Sequence, residues 1–433
     1  MMLPPHDADL THGETMKIPT AIRARKGRLG LIAGLVGVLV ATTLPISAAS
    51  AAGAWTTETI SGMQVQLYTP TTAPAIGGER ALMINLHGCV QTSSNLKAGG
   101  NWTATADKYG MVIAIPAAPG GGVIAGCWDY YDGNHSRSTP ARHDDNLLGL
   151  VSALLARPGL TLDADQVYLS GLSSGGGETM VMGCLAPDVF AGIGMNAGPS
   201  VGTTSNQIGY VATTKSAGIA QCNSFAGSNT AAFDTQLTSV VYGSNDTTVA
   251  PGYNTLNAQI MAGIYNAPTT ATFSLSTLAG SNTAGSGTTY SDATGPRVSI
   301  IQNTGLGHNW PAGAAPGGSY ISTNSINYPA YLASFFFQNN RRVTGTPAPD
   351  PTPTPTPSAT PTPTPTPSPT PGLYCGTLTN AAHEAAGHAI SYGNNPYNPY
   401  YALGTQNYLG QGDTTVTTLR EAPQGTFTKV TSC

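Results

Sequence analysis

The strongest constraint on the fold is a strand-like run that leads directly into the pentapeptide Gly171-Leu172-Ser173-Ser174-Gly175. The run at 166–170 has the apolar centre Val167-Tyr168-Leu169, which is typical of a strand, and the small residues after the pentapeptide are compatible with a helix. A serine between glycines at such a junction is typical of a tight turn that lifts its hydroxyl above the carboxyl end of a sheet. Because a serine hydroxyl is a weak nucleophile at neutral pH, Ser173 needs a base, and the base needs an orienting acid.

Two residues further along the chain are predicted to supply that acid and that base. Asp246 follows a predicted strand at 239–243, and His308 follows another at 297–301. Sites in parallel sheets lie outside the carboxyl ends of the strands, so these side chains are expected to meet there. We therefore predict Ser173 as nucleophile, His308 as general base and Asp246 as the acid that orients the imidazole.

Other residues of the same types have simpler structural interpretations. His135 and His143 lie in a polar loop and are expected to be exposed to solvent. Four aspartates compete with Asp246: Asp144 and Asp145 as caps of a helix that runs through Leu155, Asp188 as a turn residue, and Asp292 as a loop acid.

A second loop is predicted to complete the reaction site. His87-Gly88-Cys89 closes an apolar strand at 81–86. Acyl-transfer sites hold the developing oxyanion with two backbone N–H groups, one after the nucleophile and one from a loop after an early strand. Ser174 and Cys89 are the candidates, and each donor is worth about 3–4 kcal/mol of barrier. The alternative is that His87 merely ends a strand.

Residues 52–343 alternate between predicted strands and helices, which favours an α/β fold with a mostly parallel sheet covered on both faces. The predicted strands lie at 81–86, 111–116, 166–170, 239–243 and 297–301, and the predicted helices include 102–109 and 175–185.

The N-terminal 51 residues have the pattern of a secretory leader. Basic residues between Arg23 and Arg28 precede an apolar run from Leu29 to Leu44, and small residues around Ala51 follow it. This order predicts a signal peptide with cleavage near Ala51, and therefore secretion without a retained membrane segment. The alternative is a membrane anchor, but an apolar run of this length is short for a span.

Six cysteines remain after cleavage, and an even number in a secreted chain favours disulfide bonds. If bridges stay within domains, Cys375 pairs with Cys433. The other four allow three pairings, of which sequence order suggests Cys89–Cys127 and Cys184–Cys222.

Proline and threonine alternate within residues 344–372. Such a segment adopts an extended polyproline II conformation, and it could hold its flanking domains roughly 80–90 Å apart. We predict a linker between a catalytic domain at 52–343 and a disulfide-linked module at 373–433. The alternative is a disordered tail.

Composition argues against several classes of function. Charged residues make up 9% of the chain and the net charge is −4, so the clustered Lys and Arg of a nucleic-acid interface are missing from the sequence. His383 and His388 flank a glutamate, but their i, i+5 spacing places the rings about 500° apart around a helix, so no metal site is expected. No cofactor is expected either.

The motifs over residues 55–340 resemble secreted polyhydroxyalkanoate depolymerases, chiefly poly(3-hydroxybutyrate) depolymerases, and related feruloyl and acetylxylan esterases. The most specific matches are Leu86–Cys89, Cys127-Trp128, Val167–Gly176, Gly243–Val249 and Gly307–Pro311. The resemblance implies an α/β-hydrolase fold, and it assigns the triad and the oxyanion loop to the residues named above. Residues 374–389 resemble the C-terminal domain of some polymer hydrolases.

The resemblance predicts a secreted, monomeric serine esterase that acts on an insoluble polyester surface. His87, Trp128 and Trp310 are expected to contact the polymer chain. Six tyrosines of the tail fit either polymer binding or a small core: Tyr374, Tyr392, Tyr397, Tyr400, Tyr401 and Tyr408. The alternatives are a feruloyl or acetylxylan esterase, and a binding protein with an inactive hydrolase domain.

Overall fold

The computed structural model describes residues 53–131, 134–140, 142–345, 373–391, 399–403, 405, 407–422 and 426–433. The chain divides into two compact units, Met1–Ala348 and Pro349–Cys433. The predicted signal peptide, nearly all of the predicted linker, and Tyr392 and Tyr397 lie outside the described residues. Every helix in the described part of the chain is too short or too polar to cross a membrane.

The first unit is built on a ten-stranded sheet with the order β1-β2-β4-β3-β5-β6-β7-β10-β9-β8. Its six central strands, β4 to β10 in that order, are parallel, and the strands at both edges pair antiparallel. The strands are β1 (Ala54–Ile60), β2 (Met63–Thr69), β3 (Arg80–Leu86), β4 (Val112–Pro116), β5 (Leu162–Leu172), β6 (Gly192–Asn196), β7 (Leu237–Gly243), β8 (Thr269–Ser274), β9 (Gly285–Asp292) and β10 (Gly295–Asn303). A short parallel pair, β11 (Trp310–Pro311) and β12 (Ile321–Ser322), lies outside this sheet.

Seven helices in the described part of this unit cover the two faces of the sheet. They are α1 (Ser93–Gly99), α2 (Trp102–Tyr109), α3 (Asp144–Leu155), α4 (Ser174–Leu185), α5 (Lys215–Ala226), α6 (Gly252–Ile264) and α7 (Tyr328–Asn339). Short 3-10 turns lie at Pro119–Gly121, Ser205–Gln207, Gly227–Asp234 and Leu275–Thr277.

Alternation along the strands sends side chains into two cores. In β3, Leu82 and Ile84 join a core with α3 to α6, whereas Ala81 and Met83 join a second core with α1, α2 and α7. Successive side chains of a strand point to opposite faces, so a strand buried on both sides is apolar throughout. The predicted α/β architecture with a mostly parallel, doubly covered sheet is therefore confirmed.

The start of α3 differs from the prediction. The residue that caps this helix is His143, with a φ of 78°, and Asp144 is the first helical residue. Neither aspartate caps the helix through its side chain, because Asp144 is fully buried and bonded to His135. The polar loop therefore folds inward at this point.

The described residues of the second unit form two three-stranded sheets, β13-β17-β18 and β14-β15-β16, and one short helix. The elements are β13 (Cys375–Thr379), α8 (Asn380–Ala385), β14 (Ala389–Ser391), β15 (Pro399–Ala402), β16 (Tyr408–Gln411), β17 (Val416–Glu421) and β18 (Phe427–Val430). Both sheets contribute to a small core that includes Tyr400, Leu419 and Phe427. The predicted Cys375–Cys433 bridge links the beginning of this unit to its last residue.

Candidate active site

Ser173 lies on the sharp turn between β5 and α4. Its φ of 58° and ψ of −119° are unusual for a residue with a side chain, and its N–H group donates to the Asn196 carbonyl at 2.9 Å. A Cβ atom on Gly171 would lie 2.3 Å from the Gly175 carbonyl oxygen, and one on Gly175 would lie 2.6 Å from that of His87. Only glycine fits at these two positions, because backbone atoms approach them closely. The glycines of the sequence pattern are therefore required by the strained turn itself.

Asp246 and the partly buried His308 form a hydrogen-bonded pair. Oδ2 of Asp246 lies 2.8 Å from Nδ1 of His308. The other carboxylate oxygen accepts the N–H groups of Thr248 at 2.9 Å and Val249 at 3.0 Å. Since Asp246 accepts at Nδ1, the neutral imidazole keeps its Nε2 lone pair available for a proton.

The three predicted residues follow three strands of one sheet. Ser173 comes after β5, Asp246 after β7 and His308 after β10, and β7 lies beside β10 and one strand from β5. Among the described residues, no hydrogen bond joins the Ser173 hydroxyl to the His308 ring. Nucleophile–base contacts in substrate-free sites are commonly longer than in the substrate complex.

The loop after β3 lies against Ser173. A Cβ atom on Gly88 would be 3.3 Å from Cβ of Ser173. The N–H groups of Gly88 and Val90 donate to Gln91 and Ala125, whereas the Cys89 N–H has no acceptor among the residues that the structure describes. We define residues 87–90 as the oxyanion loop, in keeping with its predicted role.

Ser174 is the first residue of α4, and an N–H group in the first helical turn has no intrahelical acceptor. The partial positive charge at a helix N-terminus also favours a developing anion nearby. The N–H groups of Ser174 and Cys89 are therefore both available next to the serine, as the prediction of an oxyanion site requires.

All three disulfide bonds that the sequence suggested are present. Cys89–Cys127 ties the oxyanion loop to the loop that follows β4, and Cys184–Cys222 joins α4 to α5. The first bond therefore lies at the candidate site and the second lies at the far end of the helix that begins there.

His87 supports the oxyanion loop from within the protein. Its Nδ1–H donates to the Gly88 carbonyl at 2.8 Å, and its Nε2 accepts the Ala118 N–H at 3.1 Å. Burial lowers the pKa of this imidazole, so the ring is held neutral. Because His87 is only 3% exposed, the expectation that it contacts substrate is wrong.

The same correction applies to Trp128 and Trp310, which are fully buried. Trp310 donates from Nε1 to the Gly100 carbonyl at 3.1 Å, and its ring packs on Trp102 and Tyr328. Trp128 packs between the rings of His87 and His143. Both indoles are core residues beneath the site, because large apolar rings next to a sheet edge are more stable when covered.

Tyr320 is an aromatic residue that faces the site, and it was not predicted from the sequence. Its ring meets that of His308 edge-on with centroids 6.3 Å apart, and 37% of the residue is exposed. Its φ of 53° places it in the left-handed region. The available signal was an aromatic residue in a glycine-rich segment directly after the candidate base.

The competing histidines are buried, which contradicts the expectation that they are solvated. Nδ1 of His135 lies 2.8 Å from Oδ2 of Asp144, and Nδ1 of His143 accepts the Asp129 N–H at 3.1 Å. Burial and the nearby Arg142 lower the pKa of His143 to about 4. A polar loop can be covered when its polar atoms find partners within the protein.

Glu178 belongs to the same buried cluster. It lies in α4 one turn beyond Ser174 and is fully buried. Burial and the neighbouring carboxyl of Asp144 raise its pKa well above the usual range. Burial therefore favours the protonated form of Glu178, and we interpret this residue as part of the packing of α4.

The other competing acids have structural partners. Asp188 pairs with Arg137 at 2.8 Å. Asp292 accepts from Arg341 and Arg297, and these bonds hold the pKa of its carboxyl well below the usual range. Asp246 is thus the one among the weighed aspartates that bonds to the candidate base.

In the second unit, the described tyrosines divide into two groups. Tyr400 is 2% exposed and donates to Asp413, and Tyr374 packs on His388 and Phe427. Tyr401 and Tyr408 form a ring pair at 5.4 Å, and Tyr408 is 50% exposed. The two histidines are engaged within the unit: His383 bonds to the Thr417 carbonyl, and the His388 ring stacks on Phe427.

The sheet order, the strained serine after β5 and the acid and histidine after later strands define an α/β-hydrolase. The model of the family Esterase PHB depolymerase matches residues 63–268. The poly(3-hydroxybutyrate) depolymerase of Ralstonia pickettii is 40% identical over 333 residues, which are 72% of this chain and 67% of that protein. The poly(3-hydroxyalkanoate) depolymerase C of Paucimonas lemoignei is 27% identical over 63% of this chain and 66% of its own length.

Among solved structures, the acetyl xylan esterase from Aspergillus awamori has a TM-score of 0.48 at 19% identity, over 59% of this chain and 94% of that one. The chain spans about two thirds of the length of the two depolymerases. On the match to its relative from Ralstonia pickettii, this chain belongs to the poly(3-hydroxybutyrate) depolymerase family and is a carboxylic ester hydrolase.

Proposed function

We propose that this enzyme hydrolyses the ester bonds of extracellular poly(3-hydroxybutyrate) with Ser173, His308 and Asp246 as its catalytic triad. The observation that carries the proposal is the Asp246–His308 hydrogen bond on the same sheet edge as the strained Ser173 turn. An imidazole held by a carboxylate, a partly exposed nucleophile and backbone N–H donors without other acceptors are the parts that acyl transfer requires.

The reaction proceeds in two halves. His308 Nε2 takes the hydroxyl proton of Ser173 as Oγ attacks the ester carbonyl, and the N–H groups of Cys89 and Ser174 stabilise the tetrahedral oxyanion. The proton then passes from His308 to the leaving alkoxide, which departs as an alcohol and leaves an acyl-enzyme. A water molecule, deprotonated by His308, attacks the acyl group, and collapse of the second intermediate restores Ser173 and releases the hydroxyacid end.

The rim of the candidate site suits an uncharged polymer. Val90 is 62% exposed and Ile124 is 66% exposed, and the backbone bond from Val90 N–H to Ala125 places them beside one another. The segments 88–93, 117–128 and 303–327 contain no Asp, Glu, Lys or Arg. An exposed apolar rim marks an interaction surface, and an aliphatic polyester offers no charges to pair with.

The remaining parts of the chain support attachment to a solid. We propose that residues 1–51 direct secretion and are removed, that 344–372 act as a tether, and that 373–433 bind the polyester. In the last segment the ring pair of Tyr401 and the half-exposed Tyr408 provides flat, amphipathic contact area.

The nucleophile is tested with Ser173→Ala in the full-length protein. We expect it to lose hydrolysis of p-nitrophenyl butyrate and clearing of a poly(3-hydroxybutyrate) suspension, while adsorption to the granules is retained. Ser152→Ala, an exposed position on α3, is the matched control and should keep full activity. Undiminished hydrolysis by Ser173→Ala would overturn the proposal.

The substrate is tested with the unaltered protein. We expect it to clear a polyhydroxybutyrate suspension faster than it releases ferulate from arabinoxylan or acetate from acetylated xylan. The reverse ranking would transfer the same chemistry to a plant polysaccharide ester.

A further inference from the structure

We infer that Gln91 is a positioning residue that holds the oxyanion loop and the segment bearing Tyr320 in one arrangement around the reacting serine. We call residues 317–321 the strap, because this segment carries Tyr320 over His308. The inference rests on the proposed function, since it concerns how that site keeps its geometry.

Gln91 joins two segments that are far apart in sequence. Its Oε1 accepts the Gly88 N–H at 3.0 Å, and its Nε2 donates to the Ser319 carbonyl at 2.8 Å. Although Val90 next to it is 62% exposed, Gln91 is only 3% exposed. The side chain is therefore directed inward, and both ends of its amide are engaged with backbone.

Each end of this amide bears on a group of the proposed site. On one side, Gly88 packs against Ser173 and precedes Cys89, whose N–H is the proposed oxyanion donor. On the other, Ser319 precedes Tyr320, whose ring contacts His308. Displacing Gln91 would therefore disturb both the Cys89 N–H group and the position of the Tyr320 ring beside His308.

The backbone next to both ends is strained. Val90 and Tyr320 each have a φ of 53°, which is uncommon for residues other than glycine and exceptional for a β-branched valine. Such conformations cost on the order of 1–3 kcal/mol and persist only where the surroundings hold them. Two restraints hold the oxyanion loop: the hydrogen bond to the Gln91 amide and the Cys89–Cys127 disulfide bond.

Only a side chain that accepts and donates at once can make this bridge. Methionine matches the length of glutamine but makes neither bond. Ionised glutamate accepts from Gly88 but places a second oxygen against the Ser319 carbonyl. A protonated carboxyl can again do both, because its O–H group donates.

The test measures hydrolysis of p-nitrophenyl butyrate by Gln91→Met and Gln91→Glu. Because an oxyanion donor acts in the transition state, we expect kcat to fall 10- to 100-fold with KM changed by less than threefold. Inhibition by butaneboronic acid, which forms a tetrahedral adduct with the serine, should weaken by the same factor as kcat. An unchanged kcat, or a rise in KM alone, would overturn the inference.

A pH profile separates positioning from a general loss of fold. As the pH is lowered, the introduced carboxyl of Gln91→Glu takes up a proton. The ratio of the kcat of this variant to the kcat of the unaltered enzyme, measured at the same pH, should therefore rise toward one. Gln91→Met should show no such recovery. A constant ratio for Gln91→Glu across the profile would contradict the bridge, and this readout also serves if Gln91→Met fails to fold.

Gln236→Met is the matched control. Gln236 is fully buried and bonds to Gly183, Phe190 and Tyr265 at the start of β7, the edge of the sheet opposite to the site. We expect it to lower the melting temperature while kcat stays within twofold. A fall in kcat equal to that of Gln91→Met would show that any lost buried amide has this effect, and would overturn the inference.

The coupling of loop and strap has its own measurement. If Gln91 links the two, the effects of Gln91→Met and Tyr320→Ala on kcat should combine to less than their product. A multiplicative result would refute the coupling. Failure of this inference differs from failure of the proposed function, because the latter requires that Ser173→Ala remain active.

Discussion

The carboxylate of Asp246 is bonded on both of its oxygens, and the one at 2.8 Å from Nδ1 of His308 sets the direction of the imidazole. The other oxygen is occupied by the N–H groups of Thr248 and Val249. Rotation of the carboxylate would break these backbone bonds, so the acid cannot turn away from the base.

Asp246→Asn should reduce kcat by about 10⁴-fold, the loss typical of this substitution in a Ser-His-Asp site. Because the backbone N–H groups require an oxygen, the amide nitrogen would face His308 and donate to Nδ1. The ring would then carry its proton on Nε2 and could not accept one from Ser173. The measurement is kcat on a soluble ester at neutral pH.

Asp292→Asn is the control for that substitution. Asp292 is paired with Arg341 and Arg297 but contacts neither the base nor the serine. It should lose stability and keep kcat. If both variants lose activity to the same degree, Asp246 has no special role.

The two disulfide bonds of the first unit should have different effects on catalysis. The cysteines of each pair are 38 residues apart, so removing either bond should raise the conformational entropy of the unfolded chain by the same amount. In the chain-entropy model this lowers the free energy of unfolding by about 4 kcal/mol for each bond. Changing Cys89 and Cys127 to serine should also lower kcat, because it frees the oxyanion loop. Changing Cys184 and Cys222 to serine should lower only stability.

Thermal unfolding and kcat on a soluble ester, measured well below the melting temperature of each double variant, test this prediction. Equal kcat values for the two double variants would contradict the prediction that only the Cys89–Cys127 bond affects catalysis.

His143 should make the protein less stable in mild acid. In the folded protein its Nδ1 accepts a backbone N–H, and burial lowers its pKa to about 4 from 6.5. Neutral His143 therefore contributes fully to the free energy of unfolding above pH 6.5, and this contribution of ~3 kcal/mol is lost as the pH falls through about 4. Urea unfolding at pH 7 and pH 4.5 measures it.

His143→Asn is the variant for this test. Asparagine tolerates the positive φ at this helix N-cap and can accept the same N–H group, but it does not titrate. We expect the difference in unfolding free energy between the two pH values to shrink in this variant. His87, whose pKa is lowered in the same direction, should account for part of what remains. A difference of the original size would contradict the assignment to His143.

Removal of residues 346–433 should separate attachment from chemistry. The residues of the proposed triad and oxyanion site lie in the first compact unit, so kcat on p-nitrophenyl butyrate should change by less than twofold. Adsorption to poly(3-hydroxybutyrate) granules, and with it the rate of suspension clearing, should fall at least tenfold. Granule binding equal to that of the full-length protein would show that the tail is not the anchor.

Within the tail, the same assay can be applied to single residues. Tyr408→Ala, at a half-exposed position, should weaken adsorption without lowering the melting temperature, whereas Tyr400→Ala, in the core, should destabilise the unit. These variants show which tyrosines meet polymer and which only pack.

Much of the fold was predictable because its signals are local. The predicted helix at 102–109 has the same limits in the structure, and the predicted strand at 166–170 lies within β5. The exposed edge strand β8 and its neighbour β9 were missed, since both are rich in threonine and serine and neither has an apolar run. Apolar residues recur along a strand where it is buried, so a polar strand at an exposed sheet edge has no such pattern in its sequence.

The site was predictable only in part. The serine turn, the acid and the histidine have local signatures, because each follows a strand. Trp128, Trp310 and the two loop histidines were misjudged, since the sequence shows the type of a side chain but not whether another segment covers it. The link from Gln91 to the segment that bears Tyr320 could not be predicted from the sequence, because the hydrogen bond joins Gln91 to Ser319, 228 residues further along the chain.

By itself, the sequence determined the chemical parts of this protein: the strained serine turn that demands glycines, the order of serine, acid and base, the cysteines and the two-unit plan. The tertiary structure alone decided which side chains those parts meet. It buried the tryptophans and the two loop histidines, and it placed Gln91 between two distant loops. The physical reason is that turn geometry and strand burial depend on neighbours in the chain, whereas hydrogen bonds across a sheet edge depend on where the whole chain folds.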